Sequence, residues 1–333
     1  MFQRKYALIA VAFLLALFIL LRSSENVFDG QRKPFDANLI HFIDEWKLTE
    51  QYSYEGTPIV PEDVVFVTYA SSSHFAESKL FVVDFRKKLP NRIIYYDIGL
   101  MPNELDELKS VCNLELRNLN FSRFPVYAAT LGHYRWKPII MAEVFTEFPA
   151  YWIVDSSIRF IDTSAKMKSF YEKVQKGDVE PFVARKSAGH SIFATTHEGM
   201  YAYIPMDKGF AKKRGMADAN TMFIWRSNFA RDVIKWNVLC ALTFECMAPT
   251  GAQLDCNFNA DRFTYYAGCH RYDQSSVNII ISSMMERDGW KQIDFGKDDT
   301  MSSFAGIERG TEYHEKLNIP CRDLAVNMTR AIA

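Results

Sequence analysis

The stretch that most constrains this chain is residues 134–160, YRWKPIIMAEVFTEFPAYWIVDSSIRF. Trp136, Ile139, Ile140, Val144 and Phe145 recur at spacings of three and four, the pattern of a helix with a buried face. Pro138 fits the first turn of that helix, where a missing N–H costs nothing, and Pro149 stops it. Tyr151, Trp152, Ile153 and Val154 then read as a short buried strand that carries Asp155 to its C-terminal end. In open α/β sheets ligands bind at that edge. A helix, a buried strand and a carboxylate at its tip therefore predict a nucleotide or metal site.

The flanking sequence repeats the same alternation. Strands are predicted at 64–68 and 92–96, each followed by a helix, and a further strand at 114–119. Such alternation argues for an α/β domain with a mostly parallel sheet covered on both faces. Beyond Asp155 the pattern loosens. Helices are predicted at 164–176, 228–246 and 273–289 and a strand at 222–225, while 208–215 reads as an exposed basic segment. With 333 residues, 48% of them hydrophobic, the chain can bury one large core. Its net charge of -1 leaves no electrostatic footprint for nucleic acid.

The N-terminus sets an expected address. Residues 6–21 are an uninterrupted apolar run between Arg4, Lys5 and Arg22. As a helix the run would reach about 24 Å, short for an average bilayer but tolerable in a thin one. A cleaved signal peptide competes, but the run ends without an A-x-A-like cleavage site. The expectation is an uncleaved signal anchor at 6–21 after a cytoplasmic tail at 1–5, then a polar stem at 22–60 with one short possible helix around 39–48, and a lumenal domain at 61–333. Six cysteines (112, 240, 246, 256, 269 and 321) suit disulfides in an oxidising lumen. Their pairing is open, although Cys240 and Cys246 would point to different faces of one unbroken helix and so would not pair. Asn120 and Asn327 each open a glycosylation sequon.

Several polar residues are candidates for chemistry. Asp155 can hold Mg²⁺ or Mn²⁺ against a diphosphate, because hard cations take oxygen ligands; its bland alternative is a turn or helix cap. Arg135 and Lys137 open the organising helix, and cations at a helix N-terminus suit a diphosphate; ordinary solvated charge is the alternative for each. Asp97 ends a strand and could bind a ribose or a base edge, or simply close an Asp-x-Gly turn. His270 and Asp273 could serve as metal ligand and base, or orient an acceptor hydroxyl, and Asp273 could equally be an N-cap. There is no H-E-x-x-H, Gly-x-Ser-x-Gly or Walker loop, which removes support for protease, esterase and P-loop readings.

Taken together, residues 96–100 (YDIGL), 134–138 (YRWKP), 152–157 (WIVDSS), 194–197 (ATTH), 199–201 (GMY), Trp236, 240–242 (CAL), 270–274 (HRYDQ) and Asn278 resemble the domain-of-unknown-function family 1647. Its members are single-pass membrane proteins with a lumenal domain, and the likeness runs from about residue 60 to 325. The layout is also similar to GT-A glycosyltransferases, Golgi enzymes that bind a nucleotide-sugar on an α/β sheet and hold Mn²⁺ with an Asp-x-Asp. That likeness implies a GT-A-like nucleotide-diphospho-sugar transferase fold. In several such families an Asp-Gln followed by an Asn opens a helix near the donor sugar, which maps onto Asp273, Gln274 and Asn278. With the residue readings above, Asp155 would hold the metal or diphosphate, Arg135 and Lys137 the phosphates, Asp97 the ribose or base, and Asp273 with His270 would act near the acceptor. Ser157 stands where the second Asp of Asp-x-Asp would be, and a hydroxyl is a far poorer metal ligand than a carboxylate. That departure counts against Mn²⁺. The implied function is transfer of a sugar from a nucleotide-sugar to a lumenal glycan or glycoprotein in the Golgi or endoplasmic reticulum. The alternative is an inactive lumenal binding or scaffold protein, with a methyltransferase a distant third.

Overall fold

Alternating side chains build a sheet with an apolar cluster on each face. The computed structural model describes residues 32–52, 57–161, 164–288 and 301–321. In chain order, α1 (Ile40–Glu45) is followed by β1 (Val65–Ala70), α2 (Phe75–Lys88), β2 (Ile93–Asp97), α3 (Pro102–Leu108) and β3 (Leu114–Asn118). Next come α4 (Trp136–Glu147), β4 (Ala150–Val154), the short β5 (Ile158–Phe160) and α5 (Ser164–Gln175). The second half holds β6 (Phe182–Ser191), α6 (Glu198–Tyr201), α7 (Lys208–Lys213), β7 (Gly215–Trp225), α8 (Asn228–Leu242), α9 (Phe244–Met247), α10 (Tyr272–Asp288) and β8 (Ala305–Ile307).

The main sheet runs in the order β3-β2-β1-β4-β7-β6. β1 to β4 are mutually parallel, β7 is antiparallel to β4, and β6 is antiparallel to β7. β7 alone is thus reversed, and the fold is the mixed α/β class with a mostly parallel sheet that the sequence predicts. β5 and β8 pair in a separate antiparallel ribbon. Val65, Val67 and Tyr69 of β1 join Tyr151 and Ile153 of β4 on one face, while Phe66, Ala70, Trp152 and Val154 join the cluster on the other. This is the period of two that a strand imposes. Trp152 is fully buried, lies nearly parallel to the Phe66 ring, and donates its indole N–H to Tyr171 Oη at 2.8 Å. Helix α4 is buried on nearly every side, from Trp136 to Phe145, as a helix enclosed within a large core must be.

Four expectations change. Residues 37–48, assigned to a polar stem, pack onto the domain: Leu39, Phe42, Ile43, Trp46 and Leu48 are buried in the main cluster. Their near-helical spacing supplies one apolar face, and a face of that width must be covered. The basic segment 208–215 is exposed at Lys208, Gly209 and Lys213, as expected, but most of it is the helix α7. Asp207 caps α7 by accepting the Phe210 N–H at 2.7 Å, and Gly215 already begins β7, which is far longer than the predicted 222–225. Cys240 and Cys246 do pair. The helix is not unbroken: α8 ends at Leu242, Thr243 is extended, and the chain re-enters as α9, which swings Cys246 back. Asn278, expected on a donor, instead clamps α10 to β7, accepting the Ala217 N–H at 2.7 Å and donating to the Ala217 carbonyl at 2.9 Å. The other bridges are Cys256–Cys269 and Cys112–Cys321. No described helix is long and apolar enough to cross a membrane, and the anchor expected at 6–21 lies outside the described residues, as does Asn327.

Candidate active site

The C-terminal ends of β1 and β4 carry the polar residues that the apolar faces exclude. β1 delivers Tyr69 and the loop Ser71–His74, and β4 delivers Asp155, Ser156 and Ser157. The N-terminus of α4 adds Lys137, that of α10 adds Asp273 and Gln274, and β7 contributes Asp218 and Asn220. Together they line a cavity of about 760 Å³, within the usual range for a small-molecule site.

At its floor sits one ion cluster. The Lys137 ammonium lies 3.1 Å from Asp155 Oδ1 and 2.9 Å from Asp273 Oδ2, and donates to the Ala219 carbonyl at 3.1 Å. An ammonium has three N–H donors, and two carboxylate oxygens and one carbonyl oxygen stand within 3.1 Å of this one. The rings of Tyr69, Trp136 and Tyr134 stand 5.6, 5.7 and 5.8 Å from Lys137 Nζ, within cation–π range. Tyr69 donates its hydroxyl to Asp155 Oδ1, and the Asp155 N–H is held by the Asn220 carbonyl at 2.8 Å. Burial works against the Lys137 ammonium, but Asp155 and Asp273 outweigh it and hold its pKa well above the ordinary lysine value. Burial pushes the Asp273 carboxyl above the ordinary range; Lys137 opposes the rise and Asp155 adds to it. Burial also raises Tyr69, with the Asp155 charge beside it. Lys137 and Asp273 are buried, whereas the Asp155 side chain is 31% exposed and faces the cavity.

The residues present do not fit a divalent ion as they stand. An ion on Asp155 Oδ1 would have to share that oxygen with the Lys137 ammonium. Position 157 offers a hydroxyl, and the Ser156 hydroxyl donates to Glu77 at 2.7 Å. Among the described residues no group of three or more His, Cys, Asp or Glu side chains converges.

Of the other predicted site residues, only Gln274 lines the cavity, and its side chain donates to the Ala217 carbonyl at 2.9 Å. Arg135 points the opposite way. Its guanidinium is fully buried and donates to the carbonyls of Ala241, Thr243 and Phe244 at 2.6, 3.0 and 2.6 Å, closing the end of α8 instead of reaching for a phosphate. Asp97 closes its own turn by accepting the N–H groups of Gly99 and Leu100 at 2.8 and 2.7 Å and the Asn118 amide at 3.0 Å. His270 is fully buried behind the cavity. Its Nδ1 accepts the His197 N–H and its Nε2 donates to the Met247 carbonyl, each at 3.1 Å, and burial drops its pKa to about 3. It is a neutral latch between loops, not an acid or a metal ligand.

Sequence reasoning missed three cavity residues. Tyr69 falls just past the strand predicted at 64–68 and has no role in that reading. Arg271 sits inside the 270–274 motif and, like Arg309, lines the cavity; its charge acts on Tyr134 and His190. Nothing local in the sequence marks Arg309, because β8 and the Cys112–Cys321 bridge bring its segment in from a distance.

No curated protein matches this sequence. Two solved structures overlap it at 12% identity, each over 80% of this chain and 96% of the other. One is the galactosyltransferase LgtC in complex with donor and acceptor sugar analogs, at a TM-score of 0.42, and the second is an active-site mutant of LgtC, at 0.43. Residues 30–142 match the model of the family described as Protein of unknown function (DUF1647), the family that the sequence motifs resemble.

Proposed function

We propose that this chain is a glycosyltransferase that moves a sugar from a nucleotide-sugar to a glycan or glycoprotein acceptor. One observation carries the reading: an Asp155–Lys137–Asp273 cluster lines a cavity at the carboxyl edge of a mostly parallel sheet, where α/β folds take nucleotides. Arg271 and Arg309 supply cations for the diphosphate. Asp273 takes the proton of an acceptor hydroxyl, a role that its raised pKa suits. The acceptor oxygen bonds to the anomeric carbon, the bond from that carbon to the diphosphate oxygen breaks, and the nucleoside diphosphate leaves with the electron pair. Its developing charge is met by fixed groups that need no rearrangement.

The compartment belongs to the same proposal: a Golgi or endoplasmic reticulum protein anchored through residues 6–21, with the domain in the lumen. All six cysteines are paired, which suits an oxidising lumen. Asn120 is exposed at the cap of a short turn, open to a glycan.

Thermal unfolding of the full chain against a panel of nucleotide-sugars tests the reading. A ligand at about a hundred times its dissociation constant adds about 2.7 kcal/mol of stability. The Asp273→Asn variant should keep the shift and lose turnover by about 10²–10⁴-fold. One observation favours a second reading, a sugar-nucleotide-binding scaffold without turnover: the Lys137 ammonium is surrounded by protein oxygens, two from carboxylates and one from a carbonyl. That reading expects the midpoint shift in the native chain with no transfer to any acceptor. No shift with any nucleotide-sugar would sink both.

A further inference from the structure

We propose that the Lys137 ammonium is a built-in counterion that replaces a divalent metal between Asp155 and Asp273, so that the cavity takes a nucleoside diphosphate without metal. The inference rests on the glycosyltransferase reading for its ligand, but not for the ammonium's role. Two carboxylates from different elements, a strand tip and a helix start, converge on one point. Convergence of that kind is how carboxylates hold a hard cation. Here the cation is a side chain. It meets both carboxylates within 3.1 Å and donates to a main-chain carbonyl. Three aromatic rings stand within cation–π range of it.

The rest of the cavity agrees with this division of labour. Ser157 removes the carboxylate that would complete a metal pair, and Tyr69 occupies part of the acceptor capacity of Asp155. With Lys137 set against the two carboxylates, the anionic ligand is left to Arg271 and Arg309, the two guanidinium groups that line the cavity. A guanidinium presents a planar fork that matches phosphate oxygens. Lys137 is accordingly a positioning residue that fixes both carboxylates.

The test is Mn²⁺ titration of the full, chelator-stripped chain, with free Mn²⁺ counted by electron paramagnetic resonance. The native chain should bind Mn²⁺ no better than Asp155→Asn. Lys137→Ala should gain one Mn²⁺ at least about tenfold tighter than native, and the gain should vanish when Asp155→Asn is added. Purely structural support by Lys137 would not create a metal site. Native binding of one Mn²⁺ that Asp155→Asn abolishes would overturn the proposal, and that comparison stands even if Lys137→Ala fails to fold. Uridine and guanosine diphosphates should then shift the unfolding midpoint equally in EDTA and in Mn²⁺. A shift seen only with Mn²⁺ would also overturn it. Absence of any nucleotide shift, with no native Mn²⁺ site, overturns the glycosyltransferase reading while upholding Lys137 as the internal counterion.

Discussion

Arg135 and Lys137 are separated by one residue, both are buried cations, and they belong to two differently built regions. Lys137 faces forward into the cavity and is neutralised by side chains, the carboxylates of Asp155 and Asp273. Arg135 faces back and is neutralised by main chain, the carbonyls that end α8. His270 and Asn278 belong to the rear region too, since their partners are backbone groups of Met247, His197 and Ala217. A side chain bonded to backbone locks one element to another. Side chains bonded to one another on a cavity floor leave the charge pattern adjustable, which is what a site requires.

Acid gives the largest expected break of the rear region. His270 titrates near 6.5 when unfolded and at about 3 when folded. Between those values the unfolded chain binds the extra proton, so the stability from neutral His270 is complete above pH 6.5 and lost as pH falls. The loss approaches roughly 5 kcal/mol near pH 3, measurable by denaturant titration across pH, and His270→Gln should flatten the dependence. In the front region, Lys137→Ala leaves two carboxylates without their cation and should cost about 3–5 kcal/mol. Adding Asp273→Asn should restore part of that cost, because the front charges offset one another. Arg135→Ala should cost about 2–3 kcal/mol through orphaned carbonyls. No side-chain replacement at its partners can rescue it, and nucleotide-sugar binding should persist in the folded fraction. Asn278→Ala, which frees α10 from β7, should cost about 1–2 kcal/mol. Rescue of Arg135→Ala by a second side-chain change, or no rescue of Lys137→Ala, would erase the distinction.

The front region was partly legible in sequence and the rear hardly at all. Strand β4 and the carboxylate at its tip follow from local pattern, since a buried strand ending in Asp155 needs no distant information. Arg135 and Lys137 look equivalent in sequence, yet residues two apart on a helix do not share a face, so one reaches the cavity and the other cannot. Asp273 was placed correctly at a helix start, but its ion pair depends on α10 meeting α4 across the sheet end. His270 looked catalytic because histidine chemistry is visible in sequence, whereas its burial is set by long-range packing. Cys240 and Cys246 misled because the break at Thr243 between α8 and α9 has no Gly or Pro to announce it.

The Cys112–Cys321 bridge has a consequence for biosynthesis. It joins positions 209 residues apart, and the Cys112 N–H is also held by the Ile319 carbonyl at 2.8 Å. At ~5–20 residues per second, roughly ten to forty seconds of translation separate the two cysteines. Throughout that interval Cys112 lacks its partner, and in an oxidising compartment a disulfide-bearing oxidoreductase could join it to another cysteine already made. The strand carrying Arg309 and Glu312 to the cavity arrives late in the same interval. An oxidoreductase acting too early on Cys112 would therefore trap a chain whose cavity still lacks a wall.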